Sequence, residues 1–151
     1  MSTPSIADTY LSIAELMRIA RGSYKRAIDA VYAARGIDDV PNPGGYILAY
    51  LAGGQKQIPQ MIDGLGIGKR EYDELLDKLI LRGYITRTID PDDGSASLAL
   101  TERGQAAAEA IFEGGRVVDA ELERRLTADE IAAMRRGLAA LGEIKLSLPK
   151  V

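Results

Sequence analysis

Apolar residues recur at steps of three and four along the first part of the chain. This spacing places one apolar stripe on a helix, and it predicts a helix from about Ile6 to Ala34. Such a helix spans roughly 40 Å, too long for a compact domain of this size to cover. We therefore expect it to pack against a second copy of the chain as well. The stripe consists of Ile6, Tyr10, Ile13, Met17, Ala20, Tyr24, Ile28 and Val31.

The middle of the chain predicts three shorter helices. Asn42 and Pro43 suit the N-cap and the first position of a helix that ends at Gly53-Gly54. A second helix is expected over residues 57–65, and a third from Lys69 to Arg82. A glycine-containing turn at 66–68 joins them, which is typical of a helix-turn-helix. The residues that the third helix is expected to bury are Tyr72, Leu75, Leu76 and Leu79.

Two segments of alternating character follow the helix-turn-helix. Residues 84–90 and 97–100 are rich in β-branched and apolar residues, and residues 91–95 between them have turn composition. The pattern predicts a β-hairpin directly after the second helix of the motif. A hairpin in that position is a wing.

The last third of the chain predicts two further helices. Thr101 caps the first, which Gly114-Gly115 is expected to bend. Thr127 and Glu130 have the spacing of a capping box at the start of the second. The second helix is expected to bury Ile131, Met134, Leu138 and Leu141.

Three short motifs in this order resemble the MarR family of regulators (multiple antibiotic resistance). Leu65-Gly66-Ile67 is similar to the turn between the family's two DNA-facing helices. The stretch from Leu75 to Ile85, leucine-rich and closing in Gly83-Tyr84-Ile85, resembles the end of its recognition helix. Asp90-Pro91-Asp92-Asp93, followed by Leu100-Thr101-Glu102-Arg103-Gly104, resembles its wing and the start of the next helix. The resemblance covers nearly the whole chain.

The resemblance implies a fold, an assembly and a function. The fold is mainly α with a small β-hairpin wing, a winged helix-turn-helix with N- and C-terminal dimerisation helices. Within one structural domain, residues 1–41 form the N-terminal dimerisation helix and loop, 42–100 the winged helix-turn-helix, and 101–151 the C-terminal dimerisation helices. The implied function is that of a homodimeric DNA-binding transcriptional regulator, a repressor relieved by a small aromatic ligand. Its partner would be double-stranded DNA at a pseudo-palindromic operator.

The amino-acid composition excludes several classes of protein and of functional site. The net charge of −3 over 151 residues excludes a protein that coats nucleic acid through general basicity, so any DNA contact is local. Cysteine and histidine are both absent, which excludes disulfides, thiol catalysis and metal sites built on those residues. No apolar run approaches the roughly 20 residues that cross a bilayer, and no leader pattern opens the sequence. We expect a cytoplasmic protein without cofactor or bound metal.

Candidate DNA-binding residues follow from their positions on the third helix and the wing. Helix N-termini favour phosphate, wing residues hold the DNA backbone, and residues further along the helix read base edges. The candidates are Lys69, Arg70, Asp73, Glu74, Lys78, Arg87 and Ser95.

The sequence departs from the family pattern in two ways. Asp73 and Glu74 stand where the family has small polar and basic residues, and Gly94-Ser95 stands where it has arginines. Residues 55–103 hold seven Lys and Arg against nine Asp and Glu, a balance that predicts weak DNA binding. The two acids either accept hydrogen bonds from cytosine or pair with basic residues along the helix. The alternative function is a winged-helix protein-interaction module whose DNA binding is weakened or lost.

Other candidate sites carry less signal. Tyr10, Tyr24, Tyr46 and Tyr50 either line a cleft for an aromatic effector or are ordinary core and interface residues. Carboxylates that alone could hold a metal are better explained as loop composition. A third hypothesis, an enzyme, would need paired carboxylates or an activated serine or lysine, and no such constellation stands out. The loop carboxylates are Asp38, Asp39, Asp92 and Asp93.

Overall fold

The computed structural model describes residues 10–54 and 64–149. The predicted helix over residues 57–65 lies almost entirely outside the described residues. The remaining predicted helices and both strands are present. In chain order they are α1 (Ile13–Ala34), α2 (Gly44–Ala52), α3 (Lys69–Leu81), β1 (Ile85–Ile89), β2 (Ala96–Leu100), α4 (Glu102–Arg125) and α5 (Ala128–Ser147).

The first helix begins later than the apolar stripe suggested. Tyr10 is not helical, so the predicted start at Ile6 is wrong for the described part of that segment. The Ser12 hydroxyl accepts a hydrogen bond from the Glu15 backbone N–H at 3.2 Å, and the Glu15 carboxylate accepts one from the Ser12 backbone N–H at 2.8 Å. This capping box satisfies two free donors of the first turn and therefore sets the helix start.

The second helix also begins one position later than expected. Pro43, not Asn42, occupies the N-cap, and no side chain caps the helix. The backbone supplies the turn instead, because the Gly44 N–H donates to the Pro41 carbonyl at 2.5 Å. The helix ends at Ala52, and Gly53 is its C-cap, as predicted.

Apolar side chains from α2, α3, the hairpin and the first turns of α4 form the hydrophobic core, which we call the winged core. The predicted face of α3 is confirmed, since Tyr72, Leu75, Leu76 and Leu79 are all buried. Burying each such side chain contributes about 1.5–3 kcal/mol. The largest fully buried side chains are Tyr84, Ile47, Leu48, Leu79 and Ile85.

The two strands form an antiparallel hairpin, as predicted. Ile85 pairs with Leu100 and Arg87 with Leu98, so these four side chains share one face of the hairpin. The Asp90 N–H donates to the Ser95 carbonyl at 2.8 Å and closes the turn.

Helix α4 sits directly against the start of β1. Thr101 is its N-cap as predicted, and its hydroxyl accepts a hydrogen bond from the Gly104 N–H at 3.0 Å. The Thr101 N–H donates to the Tyr84 carbonyl, also at 3.0 Å. A Cβ at Gly104 would lie 1.9 Å from that same carbonyl oxygen, so only glycine fits between the helix and the strand.

Helix α4 also packs along α1. The helix continues through Gly114-Gly115, and a Cβ at Gly114 would lie 2.8 Å from the Ile28 backbone. The absence of a side chain at Gly114 therefore allows α1 to approach α4 closely. The Tyr24 hydroxyl donates to the Asp119 carboxylate at 2.6 Å and joins the same two helices.

Helices α1 and α5 contain no buried residue in the single chain, and we call them the helical arms. The Thr127–Glu130 capping box of α5 is confirmed. Its predicted burial is wrong for the isolated chain, since Met134, Leu138 and Leu141 remain exposed. Amphipathic spacing identifies the face of a helix that needs covering, but one chain does not cover this face.

Candidate nucleic-acid interface and adjoining cavity

The N-terminal end of α3 presents two cations to solvent. Helix α3 follows directly on Gly68, its N-cap, and the Lys69 and Arg70 side chains are 90% and 93% exposed. Lys69 pairs with Asp73 at 3.3 Å, and Arg70 pairs with Glu74 at 3.2 Å. The structure thus has the helical pairing that the sequence left open. Exposed pairs of this kind contribute about 0.3–0.5 kcal/mol, so a stronger anion readily competes for the cations.

The hairpin places Arg87 beside α3. Arg87 is exposed on the face that carries buried Ile85, and its positive charge partly offsets the rise that burial causes in the pKa of the Tyr72 phenol. The Tyr72 hydroxyl has no hydrogen-bond partner among the described residues. Lys78 is exposed in the last turn of α3.

The hairpin turn owes its shape to aspartates. The Asp90 carboxylate accepts a hydrogen bond from the Asp92 N–H, and the Asp93 carboxylate accepts one from the Ser95 N–H, both at 2.8 Å. A hydrogen bond with the Ser95 side chain, followed by this backbone bond, holds the pKa of Asp93 below its usual range. Ser95 therefore lies at an exposed turn in which the Asp90 and Asp93 carboxylates accept backbone hydrogen bonds.

Sequence reasoning missed a cluster around Asp39, in the loop between α1 and α2. Its carboxylate accepts hydrogen bonds from the Tyr84 hydroxyl and, at 2.6 Å, from the Arg103 guanidinium. The Arg82 guanidinium donates to the Asp39 carbonyl at 2.5 Å. The Tyr84 bond, followed by the Arg103 charge, holds the pKa of Asp39 below its usual range. No local spacing predicts this cluster, because Tyr84 and Arg103 lie 45 and 64 residues from Asp39.

A cavity of about 610 Å³ adjoins the cationic end of α3. Arg21 of α1 and Glu71 of α3 contribute charged side chains, and Tyr46 and Tyr50 of α2 contribute aromatic ones. The remaining lining comes from Asn42, Pro43 and the turn at residues 64–67. The lining combines aromatic surface with one cation and one anion, which suits a small aromatic molecule carrying a polar group.

The four candidate tyrosines separate into two groups. Tyr46 and Tyr50 line the cavity, whereas Tyr24 and Tyr10 do not contribute to its lining. Tyr24 is engaged with Asp119, and this hydrogen bond raises its pKa to about 12. Tyr10 precedes α1 and is fully exposed.

The loop carboxylates form no metal site within residues 10–54 and 64–149, where no three potential ligands cluster. Asp39 is occupied by Tyr84 and Arg103, as described above. Across the same residues, no helix is both long enough and apolar enough to span a membrane.

The sequence matches no protein-family model and no curated protein. Solved structures do match. Staphylococcus aureus MepR bound to DNA is 21% identical, with a TM-score of 0.67 over 87% of this chain and 96% of that one. NadR bound to 4-hydroxyphenylacetate is 21% identical, with a TM-score of 0.67 over 95% of this chain and 99% of that one. Reduced E. coli MarR is 20% identical, with a TM-score of 0.62 over 88% of this chain and 98% of that one. The chain therefore has the winged-helix fold of the MarR-type regulators, which confirms the fold class predicted from its sequence.

Proposed function

We propose that this protein is a DNA-binding transcriptional regulator that acts as a homodimer. The observation that carries the proposal is the exposed cationic start of α3 beside a β-hairpin. In this fold, α3 would enter the major groove while the hairpin meets the sugar–phosphate backbone. Its likeness to MepR, whose structure was solved with DNA, supports this placement.

The helical arms support a dimer. Met17 on α1 and Leu138 on α5 are among several large apolar side chains exposed on the two arms. Pairing through residues 1–41 and 101–151 would cover such side chains and set two copies of the 42–100 unit side by side. Two recognition helices would then reach successive major grooves about 34 Å apart on a pseudo-palindromic operator.

The charge distribution supports modest affinity. Phosphate would displace Asp73 and Glu74 from Lys69 and Arg70, because exposed ion pairs are weak. Lys78, Arg87 and Ser95 would add backbone contacts, and the displaced acids would be free to accept from cytosine. We expect strong salt dependence.

The cavity supports ligand control. We propose that it takes a small aromatic acid, whose carboxylate would meet Arg21 while its ring packs against Tyr46 and Tyr50. NadR, which shares the fold, was crystallised with 4-hydroxyphenylacetate. A ligand relieves repression only if it binds the DNA-competent and DNA-incompetent spacings of the recognition helices with different affinity.

Fluorescence anisotropy with the DNA upstream of the protein's own gene, compared with random DNA at low salt, tests the function. We expect preference for the upstream DNA. The Glu74→Arg variant should bind random DNA more tightly and with a steeper salt dependence, because it adds a phosphate-binding cation. A matched Glu109→Arg change on α4 gives the effect of net charge alone. If both variants have the same slope, this face of α3 does not touch DNA.

Arg87→Ala tests the hairpin. We expect it to weaken binding to upstream and random DNA alike and to lower the salt slope by about one, because a phosphate contact carries no sequence information. Full affinity in this variant would show that the hairpin lies away from DNA.

One observation favours a second function, a protein-interaction module on the same scaffold. Asp73, Glu74 and Asp77 make the middle of α3 acidic, and the hairpin turn at residues 91–95 contains no arginine. Absence of binding to upstream DNA at low salt, from a folded dimer, would select this function. A hydrolytic enzyme has less support, since Glu71 is the sole carboxylate among the described residues lining the cavity.

A further inference from the structure

The side chains of Asp39, Tyr84 and Arg103 form a closed set of hydrogen bonds. Tyr84 donates to the Asp39 carboxylate, and one Arg103 nitrogen donates both to that carboxylate and to the Tyr84 hydroxyl, the latter at 3.1 Å. The Arg103 guanidinium also lies 4.6 Å from the centroid of the Tyr84 ring. Each member therefore contacts the other two, and the bonds to ionised groups are the stronger kind.

The cluster joins three parts of the chain that are distant in sequence: the loop after α1, the junction of α3 with β1, and the start of α4. Asp39 belongs to the loop after α1, Arg82 ends α3, Tyr84 precedes β1, and Arg103 lies in the first turn of α4. Tyr84 is itself fixed, since its side chain is buried and its carbonyl accepts from the Thr101 N–H. Movement of the loop at Asp39 would therefore displace the start of β1 and the end of α3 together.

The same loop also reaches the cavity. Asn42 and Pro43 line the cavity three and four residues after Asp39. Next in the chain is Gly44, where a Cβ would lie 3.1 Å from the Leu79 side chain of α3. The loop is thus held at both ends. The hydrogen bonds of Asp39 hold one end, and the close packing of Gly44 against Leu79 holds the other. Asn42 and Pro43, which line the cavity, lie between these two points.

We propose that Asp39, Tyr84 and Arg103 are positioning residues that fix the hairpin and the end of α3 in the orientation required for DNA binding, and that the loop they hold connects the cavity to that surface. This inference rests on the proposed function. None of the three needs to touch DNA, because they act through the placement of Arg87 and α3.

Three variants test the proposal. Asp39→Asn removes the ionised partner of Arg103, and Tyr84→Phe removes only the hydroxyl from the cluster. Asp38→Asn is the matched control: it makes the same charge change one residue away, on an exposed side chain that makes no hydrogen bond or ion pair with the residues that the structure describes. Dissociation constants for upstream DNA are measured at several salt concentrations, below the unfolding temperature of every variant.

We expect Asp39→Asn to bind DNA about tenfold more weakly and Tyr84→Phe about threefold more weakly, in the range of couplings that act between sites. Asp38→Asn should bind within about twofold of the parent protein. The salt slope should be the same in all four proteins, because the variants make the required orientation rarer in the free protein while the complex still makes every phosphate contact. The proposal is overturned if Asp39→Asn behaves like Asp38→Asn, if its slope changes, or if only its melting temperature falls.

A second measurement does not require DNA. The chain has no cysteine, so Ser95→Cys allows a single nitroxide label at the hairpin turn. We expect the electron paramagnetic resonance spectrum of this label to show greater mobility when Asp39→Asn is added, and no change with Asp38→Asn. If the parent protein fails to bind DNA, the proposed function fails, but the label mobility still tests the positioning role of Asp39. Equal label mobility in Asp39→Asn and Asp38→Asn overturns that role.

Discussion

The winged core and the helical arms use the same kind of amphipathic sequence and reach opposite outcomes. In the core, Leu79 is 0% exposed, and its neighbours on α2 and β1 belong to the same chain. In the arms, Leu138 lies in an equally regular stripe and is 48% exposed. The comparison teaches that a stripe predicts which face of a helix will be covered, but not whether the covering surface belongs to the same molecule.

The largest expected effect contrasts a buried and an exposed leucine within α3, the helix whose burial defines the winged core. Leu79→Ala should lower the free energy of unfolding by about 3 kcal/mol, because it leaves a cavity at a fully buried position. Leu81→Ala, two residues further along α3 at a side chain that is 87% exposed, should change it by less than about 0.5 kcal/mol. Urea denaturation measures both. Similar losses in the two variants would contradict the placement of α3 against the core.

A smaller effect tests what covers the arms. Leu138→Ala should leave the unfolding of the protomer nearly unchanged but weaken dimerisation by about tenfold or more, because a twofold interface loses two apolar side chains. Sedimentation equilibrium measures the dimer constant, and the melting temperature of the parent should rise with concentration.

Arg136→Ala serves as the control for this measurement. It lies two residues earlier in α5, and residues at that spacing do not share a helix face. The dimer account would be wrong if the parent protein is monomeric at micromolar concentration, or if both variants weaken the dimer equally.

The smallest effect concerns the junction of α1 and α4. The hydrogen bond from the Tyr24 hydroxyl to Asp119 raises the pKa of Tyr24 to about 12 in the folded protein, above the unfolded value near 10. Its contribution to stability is therefore complete below pH 10 and is lost as the pH rises from about 10 to 12. Tyr24→Phe should be less stable than the parent protein at pH 8. Between pH 10 and 12 it should lose less stability than the parent does. Thermal melts from pH 8 to 12 measure this, and parallel curves would contradict it.

The sequence predicted what depends on neighbours along the chain. Periodicity located α3 and its buried face, spacing located the Thr127–Glu130 capping box, and steps of four anticipated the pairs Lys69–Asp73 and Arg70–Glu74. The start of α1 was open to the same reasoning, because Ser12 and Glu15 have the capping-box spacing, but the apolar stripe continues past them towards Ile6.

Features that depend on the path of the chain were not predictable. The Asp39 cluster joins residues 45 and 64 positions apart, and only the folded chain brings them together. For the same reason, the sequence could not show which of the candidate tyrosines line the cavity. Tyr24 and Tyr46 look alike in sequence, yet one faces Asp119 and the other faces the cavity.

The missing side chain at Gly104 has a consequence for variation at this site. Because even a methyl group would overlap the Tyr84 carbonyl, every substitution there should push the hairpin off its supporting helix. In a saturation mutagenesis screen, position 104 should tolerate no other amino acid. The position of the hairpin against α4 thus depends on Gly104 carrying a hydrogen atom in place of a side chain.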